Sequence, residues 1–112
     1  MENLSTETFM QFVTGNEYVV VLFDAPWDAA GGASIRPRLE QAAGHYAGQV
    51  QFGEVDVQEQ VELARSVGVL NVPAVGYYRG GNLVGIFIGA TQDVNANTSA
   101  LLAGSEICSN KP

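Results

Sequence analysis

Cysteine and histidine are almost absent from this sequence, which has one of each, Cys108 and His45, in 112 residues. One thiol cannot form a disulfide within its own chain, and it cannot supply the group of thiolates that a structural zinc site uses. His45 has no cysteine or second histidine near it in the sequence, so we expect it at the surface or at a helix end. The sequence therefore predicts no metal site, and packing must supply the stability.

Basic residues are also few, with five Lys and Arg against twelve Asp and Glu, which gives a net charge of -7. A field of this sign repels phosphate backbones and anionic lipid headgroups, so nucleic acid and membrane surfaces are not expected as partners. The longest apolar run, 18–23, is far shorter than the roughly 20 residues that span a bilayer. Residues 1–5 lack the basic and apolar segments of a secretory signal. We therefore expect a cytoplasmic protein.

The residues that are present predict a packed globule. Hydrophobic residues make up 46% of the sequence and charged residues 15%, a composition that favours folding over disorder. The length fits one domain. We place that single domain at 1–105 and expect the polar segment 106–112 to form a flexible C-terminal tail.

Periodicity of the apolar residues predicts an alternation of helices and strands. Apolar runs without helical spacing predict strands at 18–23, 52–57, 74–78 and 83–88. Helices are expected after a cap at Ser5 or Thr6, around 35–48, over 58–67 and after a cap at Asp93. The inner faces of these helices are expected to carry Phe9, Phe12 and Val13; Ile35, Leu39, Ala42, Ala43 and Tyr46; Val61, Ala64 and Val67, with Leu63 left open as a fourth; and Val94, Leu101 and Leu102. This order predicts an α/β fold in which a β-α-β unit joins a β-β-α unit around a mixed sheet.

Pro37 lies within the second helical segment. A proline inside a helix removes a backbone donor and clashes with the preceding turn, unless it lies in the first turn. The helix must therefore begin near Arg36 or bend at the proline.

Four segments, 19–27, 55–57, 68–73 and 89–90, give the chain a resemblance to the thioredoxin family over about residues 4–104. The resemblance implies the thioredoxin fold, a central mixed β-sheet flanked by helices. It also implies that Pro73 is the family's cis-proline and that Pro37 is the proline that bends its second helix. Gly89 and Ala90 resemble the short segment that flanks the same surface.

The family's redox motif is missing from the place where the resemblance puts it. Family members carry Cys-Gly-Pro-Cys directly after the tryptophan that matches Trp27, whereas this chain has Asp28, Ala29, Ala30, Gly31 and Gly32, with one residue more before Pro37. The position of the family's buried acid corresponds to Leu22. Disulfide exchange needs an attacking thiolate and a second thiol. The resemblance thus implies a member of the thioredoxin-like superfamily that lacks Cys-x-x-Cys, with no catalytic residue and no cofactor.

The loss of the thiols leaves a surface suited to binding. The resemblance implies that another protein or an extended peptide docks on a groove beside the cis-proline, formed by Trp27, Asp28, Val72, Pro73, Gly89 and Ala90. The protein would then be a chaperone or assembly module and not an enzyme. The choice between packing and contact stays open for Trp27, and Asp28 is expected to cap the second helix.

Several alternatives remain open at this point. The chain could be a thiol-linked enzyme or a glutathione-binding protein of the same superfamily, or a structural protein that self-associates. Cys108 is expected to be incidental, because nothing electropositive surrounds it in the sequence. Arg36 and Arg38 either meet an acidic partner or form a solvated helix face. The oligomeric state is not predicted.

Overall fold

The structure is a computed structural model that describes residues 1–69 and 71–107. Leu70, Cys108 and the remaining residues of the predicted tail, 109–112, lie outside the described residues.

Five strands and four helices follow one another in the described chain. In order they are β1 (Glu2–Asn3), α1 (Thr6–Thr14), β2 (Tyr18–Asp24), α2 (Ala29–His45), β3 (Gln51–Asp56), α3 (Val61–Val67), β4 (Ala74–Arg79), β5 (Asn82–Ile88) and α4 (Val94–Ala103). All four predicted helices and all four predicted strands are present. The two-residue strand β1 was not predicted, because so short a segment carries no periodicity.

The strands form one mixed sheet in the order β1-β3-β2-β4-β5. β3 pairs in parallel with both β1 and β2, whereas β4 pairs antiparallel with β2 and β5. β2 lies at the centre, and its residues from Val19 to Asp24 are all buried. An uninterrupted apolar run is what a strand covered on both faces requires. This architecture confirms the predicted thioredoxin fold class.

Each face of the sheet has its own core, because successive side chains of a strand point in opposite directions. From β2, Val20 and Leu22 join the core formed with α2 and α4. Val19, Val21 and Phe23 join the opposite core, which is formed with α1 and α3. The sheet is therefore a middle layer between two pairs of helices.

The short helix α3 differs from its predicted orientation. The prediction placed Val61 on its inner face with Ala64 and Val67, and left Leu63 open as a further inner residue. In the structure Leu63 and Ala64 are buried, whereas Val61 is 45% exposed and Val67 is half-buried. The helix begins at Val61 and not at Gln58, so the first-turn side chain of Val61 lies at the surface.

Helix α2 runs through Pro37 and begins well before it, at Ala29, which excludes a start near Arg36. It ends at His45 with Tyr46 as its C-cap, three residues before the predicted stop at Gly48. His45 thus lies at a helix end, as expected.

The packed part of the chain extends beyond the predicted boundary at residue 105. Ile107 is buried in the core between the sheet and α2 and α4. A side-chain carbon placed on Gly85 would lie 2.6 Å from Ile107, so the two residues are in close contact. Ile107 therefore packs against the folded domain, two residues beyond the predicted boundary.

Candidate functional site

The first turn of α2 begins at Asp28, directly after Trp27. Asp28 is the N-cap residue, and its Oδ1 accepts a hydrogen bond from the Gly31 backbone N–H at 3.3 Å. Its backbone carbonyl accepts from Gly32 N–H at 2.9 Å. Aspartate is a favoured N-cap because its carboxylate satisfies an amide that has no partner within the helix. The capping role predicted for Asp28 is the one observed.

A second carboxyl group, that of Asp24, lies against the first. Asp24 is the last residue of β2 and is only 6% exposed. Burial raises the pKa of Asp24 from 3.8 to about 6, and a side-chain hydrogen bond with Asp28 acts in the same direction. Such a bond requires a proton on one of the two carboxyls. Asp24 and Asp28 thus form a carboxyl pair at the N-terminus of α2.

The two glycines of this turn leave the space that the carboxyl pair occupies. A side-chain carbon on Gly31 would lie 2.5 Å from both carboxylate oxygens of Asp28, and one on Gly32 would lie 2.5 Å from Oδ2 of Asp24. Any other residue at these positions would have to displace a carboxylate. The Gly31-Gly32 sequence is therefore a packing requirement of the carboxyl pair.

A groove of about 550 Å³ opens beside Asp28, between the start of α2, α3 and the segment before β4. It is lined by Trp27, Asp28, Val57, Val61, Ala64, Arg65, Val69, Asn71 and Val72. Trp27 is 65% exposed, which decides between the two expectations for it: it is a surface residue of the groove and not a core residue. Six of the nine lining residues are apolar, and Asp28, Arg65 and Asn71 supply its polar groups.

The remaining predicted site residues, Pro73, Gly89 and Ala90, are not among the residues that line the groove. The Val72–Pro73 peptide bond is cis, and Pro73 is buried. The Gly89 backbone N–H donates to the carbonyl of Pro73 at 2.9 Å, while Ala90 packs against the core. The structure therefore brings Trp27, Asp28 and Val72 together in one groove, whereas Pro73, Gly89 and Ala90 lie outside its lining.

Arg36 and Arg38 both form bonds within the chain, which differs from the two alternatives expected for them, a solvated helix face or a contact with an acidic partner. Arg36 forms an ion pair with Glu54 of β3, and this bond is the main cause that raises the arginine's pKa above its ordinary value. Arg38 donates to the backbone carbonyl of Gln92, just before α4. Both arginines thus join α2 to neighbouring parts of the chain.

Within residues 1–69 and 71–107, no group of three or more His, Cys, Asp and Glu side chains is arranged to hold a metal ion. The helices of that same part of the chain include none with the length and apolar character needed to cross a bilayer.

Comparison with known proteins places this architecture in a family. The thioredoxin family model matches residues 1–100. The thioredoxin of Malassezia sympodialis is 32% identical over 87 residues, which cover 77% of this chain and 82% of that protein. The chain belongs to the thioredoxin family. A solved thioredoxin structure from the same organism matches with a TM-score of 0.77 at 29% identity, covering 91% of this chain and 90% of the other.

Disulfide isomerases are also among the relatives of this thioredoxin-family chain. A probable protein disulfide-isomerase A4 of Caenorhabditis elegans is 35% identical over 81 residues, or 70% of this chain. The match spans only 13% of that relative, and one to a disulfide isomerase of Arthroderma benhamiae spans only 15%. The similarity to these proteins therefore concerns a small part of each.

Membership in the family makes the residue after Trp27 informative. The family's motif has its first cysteine there, at the start of the second helix, and this chain has the half-buried Asp28. Leu22, at the position of the family's buried acid, is fully buried in the core. A buried acid is nevertheless present two residues later, at Asp24. Sequence reasoning missed it, although its place at the end of a buried strand, just before a glycine-containing helix start, was a usable signal.

Proposed function

We propose that this thioredoxin-family protein does not exchange disulfides and instead binds another protein or an extended peptide in the groove beside Trp27. The observation that carries the proposal is the residue at the N-terminus of α2, where the family's attacking cysteine would stand and where Asp28 caps the helix. A carboxylate there cannot form the mixed disulfide through which exchange proceeds. None of the nine residues that line the groove is a cysteine.

The shape and chemistry of the groove support binding of an extended segment. Its apolar surface is contributed by Trp27, by Val61 and Ala64 of α3 and by Val72. Exposed tryptophan and valine side chains beside one another are typical of sites that bury partner residues. Asn71 and Val72 add the backbone of the segment before Pro73, against which an extended peptide can pair.

A role as a chaperone or assembly module in the cytoplasm follows as part of the same proposal. Such a role needs only reversible capture of exposed peptide segments, for which apolar side chains and backbone groups suffice. The net charge of -7 disfavours nucleic acid and anionic membranes as the captured partners.

A thiol-linked or glutathione-dependent activity is the alternative. It would need a nucleophile at the groove together with a base that activates it, and the lining residues contain no thiol. The only cysteine, Cys108, follows α4 and lies outside the described residues.

The absence of exchange activity can be measured directly. We expect no reduction of insulin disulfides by the protein in the presence of dithiothreitol beyond the rate of dithiothreitol alone. A Cys108→Ser variant is the matched control, because it removes the only thiol and leaves the groove intact. Activity in the wild type that the variant lacks would establish the thiol-linked alternative.

Binding can be tested by selecting peptides from a displayed random library on the immobilised protein. We expect selected peptides to bind the wild type at micromolar concentrations and the Trp27→Ala, Val72→Asp double variant at least tenfold more weakly in calorimetry. The matched control is Met10→Ala, which removes a large apolar side chain that is 63% exposed on α1, outside the groove. Equal affinity for the double variant would contradict the proposed site.

A further inference from the structure

A second cavity, of about 330 Å³, lies between α1, α3 and the turn that joins β4 to β5. It is lined by Phe9, Met10, Val13, Leu63, Ser66, Val67, Tyr78, Gly81, Asn82 and Leu83. None of these ten residues carries a charge, and none lines the groove beside Trp27. Sites for small molecules have volumes of about 300 to 1,000 Å³, so this cavity is of a size that suits a small ligand.

Exposed apolar side chains lie at this cavity. Met10 is 63% exposed and Leu83 is 38% exposed, and both line it. The other large apolar side chains of such exposure in the described chain, Trp27 and Val61, both line the groove. Exposed apolar side chains grouped over a concavity are typical of binding surfaces. Because Met10 is unbranched and flexible, it can move to admit a molecule to the buried part of the cavity.

One polar group in the lining of the cavity has no partner, and it is the hydroxyl of Tyr78. Tyr78 is 4% exposed, and its oxygen is buried without a hydrogen bond to any described residue. Its ring packs edge-on against Phe9, which also lines the cavity, with 5.7 Å between the ring centroids. Burial raises the pKa of Tyr78 above its ordinary value, so the hydroxyl keeps its proton at neutral pH and can donate it to an acceptor.

The neighbouring residue, Tyr77, shows what a buried tyrosine normally does. Tyr77 points into the core on the other face of the sheet, and its hydroxyl donates to Gln92 at 3.4 Å. A buried hydroxyl without a partner costs free energy that phenylalanine, which fills the same space, would not cost. Tyr78 therefore offers a hydrogen bond for which the described chain supplies no acceptor.

We propose that this cavity binds a small, uncharged, apolar molecule whose carbonyl oxygen accepts a hydrogen bond from the hydroxyl of Tyr78. Phe9, Val13 and Leu63 supply apolar surface for the hydrocarbon part of such a molecule. An ionised ligand is disfavoured, because no lining residue carries a charge that would pair with it. The site is separate from the groove beside Trp27 and does not depend on the function proposed for that groove.

The probes for this site are acetophenone, ethylbenzene and benzoate. The first two have similar shapes and differ in that a carbonyl group replaces a methylene group, whereas benzoate carries a charge. Binding is followed by the NMR shifts of the backbone amides of Met10, Val67 and Leu83, and the indole N–H of Trp27 reports on the groove. We expect acetophenone and ethylbenzene to shift the three amides and not the indole, with acetophenone binding at about 1 mM. Benzoate should shift none of them at the same concentration.

Tyr78→Phe is the variant that tests the donor. We expect the affinity for acetophenone to fall about five- to tenfold relative to that for ethylbenzene, which is the usual value of one hydrogen bond. Tyr77→Phe is the matched control, because it makes the same substitution at the next residue, whose hydroxyl lies in the other core. The ratio of the two affinities should be unchanged in that control.

Urea unfolding of the free protein gives a second measurement, which needs no ligand. Tyr78→Phe should raise the midpoint of unfolding by about 0.5 M, because it removes a buried group that has no partner. Tyr77→Phe should lower the midpoint, because it removes a hydroxyl that is bonded to Gln92. A lower midpoint for Tyr78→Phe would mean that the hydroxyl is bonded in the free protein, and the inference would be wrong.

Two further results would overturn the inference. The first is the absence of shifts at the three cavity amides with acetophenone at millimolar concentration, including the case in which only the indole of Trp27 responds. The second is a ratio of acetophenone to ethylbenzene affinity that is the same in the wild type and in Tyr78→Phe. Neither result bears on peptide binding by the groove, which the library selection tests independently.

Discussion

Two helices of this protein begin with the same local motif and differ in what surrounds it. At α2, Asp28 accepts from Gly31 N–H at 3.3 Å, and at α4, Asp93 accepts from Ala96 N–H at 3.0 Å. Asp93 is exposed. Asp28 is half-buried and contacts the buried Asp24. The same capping residue is a plain cap at α4 and part of a site at α2.

The difference between the two caps comes from residues that a capping motif does not include. At α2, two glycines remove the side chains that would otherwise exclude the carboxyl pair, and a charged residue ends a buried strand. Gly31 also leaves room for the capping carboxylate of Asp28, whereas Gly32 and Asp24 make no contribution to the cap. A structural arrangement that costs stability without improving its helix is a reason to look for a function there.

Among the substitutions that test this comparison, Gly32→Ala is expected to have the largest effect on stability. Alanine normally stabilises a helix relative to glycine, but here its methyl group would meet Oδ2 of Asp24 at 2.5 Å. We expect the free energy of unfolding to fall by about 2 kcal/mol, measured by urea denaturation. Gly44→Ala is the control on the same helix, since nothing lies within 4 Å of its added carbon, and it should raise the free energy of unfolding by about 0.5 to 1 kcal/mol. Equal outcomes for the two variants would contradict the close approach.

The next effect is a dependence of stability on pH, which we expect for the Asp24–Asp28 pair at α2. The pKa of Asp24 is about 6 in the folded protein against 3.8 for the ordinary residue, so folding favours its protonated form. The contribution of Asp24 to the free energy of unfolding is therefore fully present below pH 3.8 and is lost as the pH rises through 6. Relative to Asp24→Asn, we expect the wild type to lose about 1 to 2 kcal/mol of unfolding free energy over that window.

Urea titrations at pH 4, 5, 6, 7 and 8 would measure this loss. The charged groups that face Asp24 are Asp28 and, at longer range, Arg36, which is paired with Glu54; Asp56 lies opposite Asp24 in the register of β2 and β3. Gly44→Ala should run parallel to the wild type across the series, because it changes no titratable group. A difference between wild type and Asp24→Asn that does not change with pH would show that Asp24 ionises normally.

The smallest effect is the direct contrast of the two caps at pH 8. Asp93→Ala should cost about 1 kcal/mol, the usual value for a lost N-cap. Asp28→Ala should cost about half of that or less, because the lost cap is offset by the removal of a carboxylate next to Asp24. Thermal denaturation of the two variants would measure both. Equal costs would mean that the carboxyl pair has no influence on stability at that pH.

The fold could be predicted from the sequence because its main signals are local and redundant. The run from Tyr18 to Phe23 and the helical spacing of Ile35, Leu39 and Ala42 each indicate an element on their own. Where the packing of one element on another determines whether a side chain is buried or bonded, the prediction was wrong or absent. Val61 is exposed, Ile107 is buried, and Arg36 is bonded to Glu54.

The candidate site was predicted only in part, because some of its residues carry a local sequence signal and others do not. Trp27 and Asp28 were found because they adjoin the position of a known motif. Asp24 was missed because its burial depends on how α2 packs over the end of β2. The periodicity of apolar residues along the sequence carries no information about that packing. The contribution of α3 to the groove was missed because it follows from the exposure of Val61 at the start of that helix.

The contact between Ile107 and Gly85 has a practical consequence for anyone who prepares this protein. Gly85 lies on the outermost strand, β5, and has no side chain of its own to cover that part of the sheet, so the segment that follows α4 supplies one. A chain shortened after Ser105 would open a hydrophobic gap at the margin of the sheet and invite self-association during purification. Tags and fusion partners are better joined beyond residue 107, where they leave the contact between Ile107 and Gly85 in place.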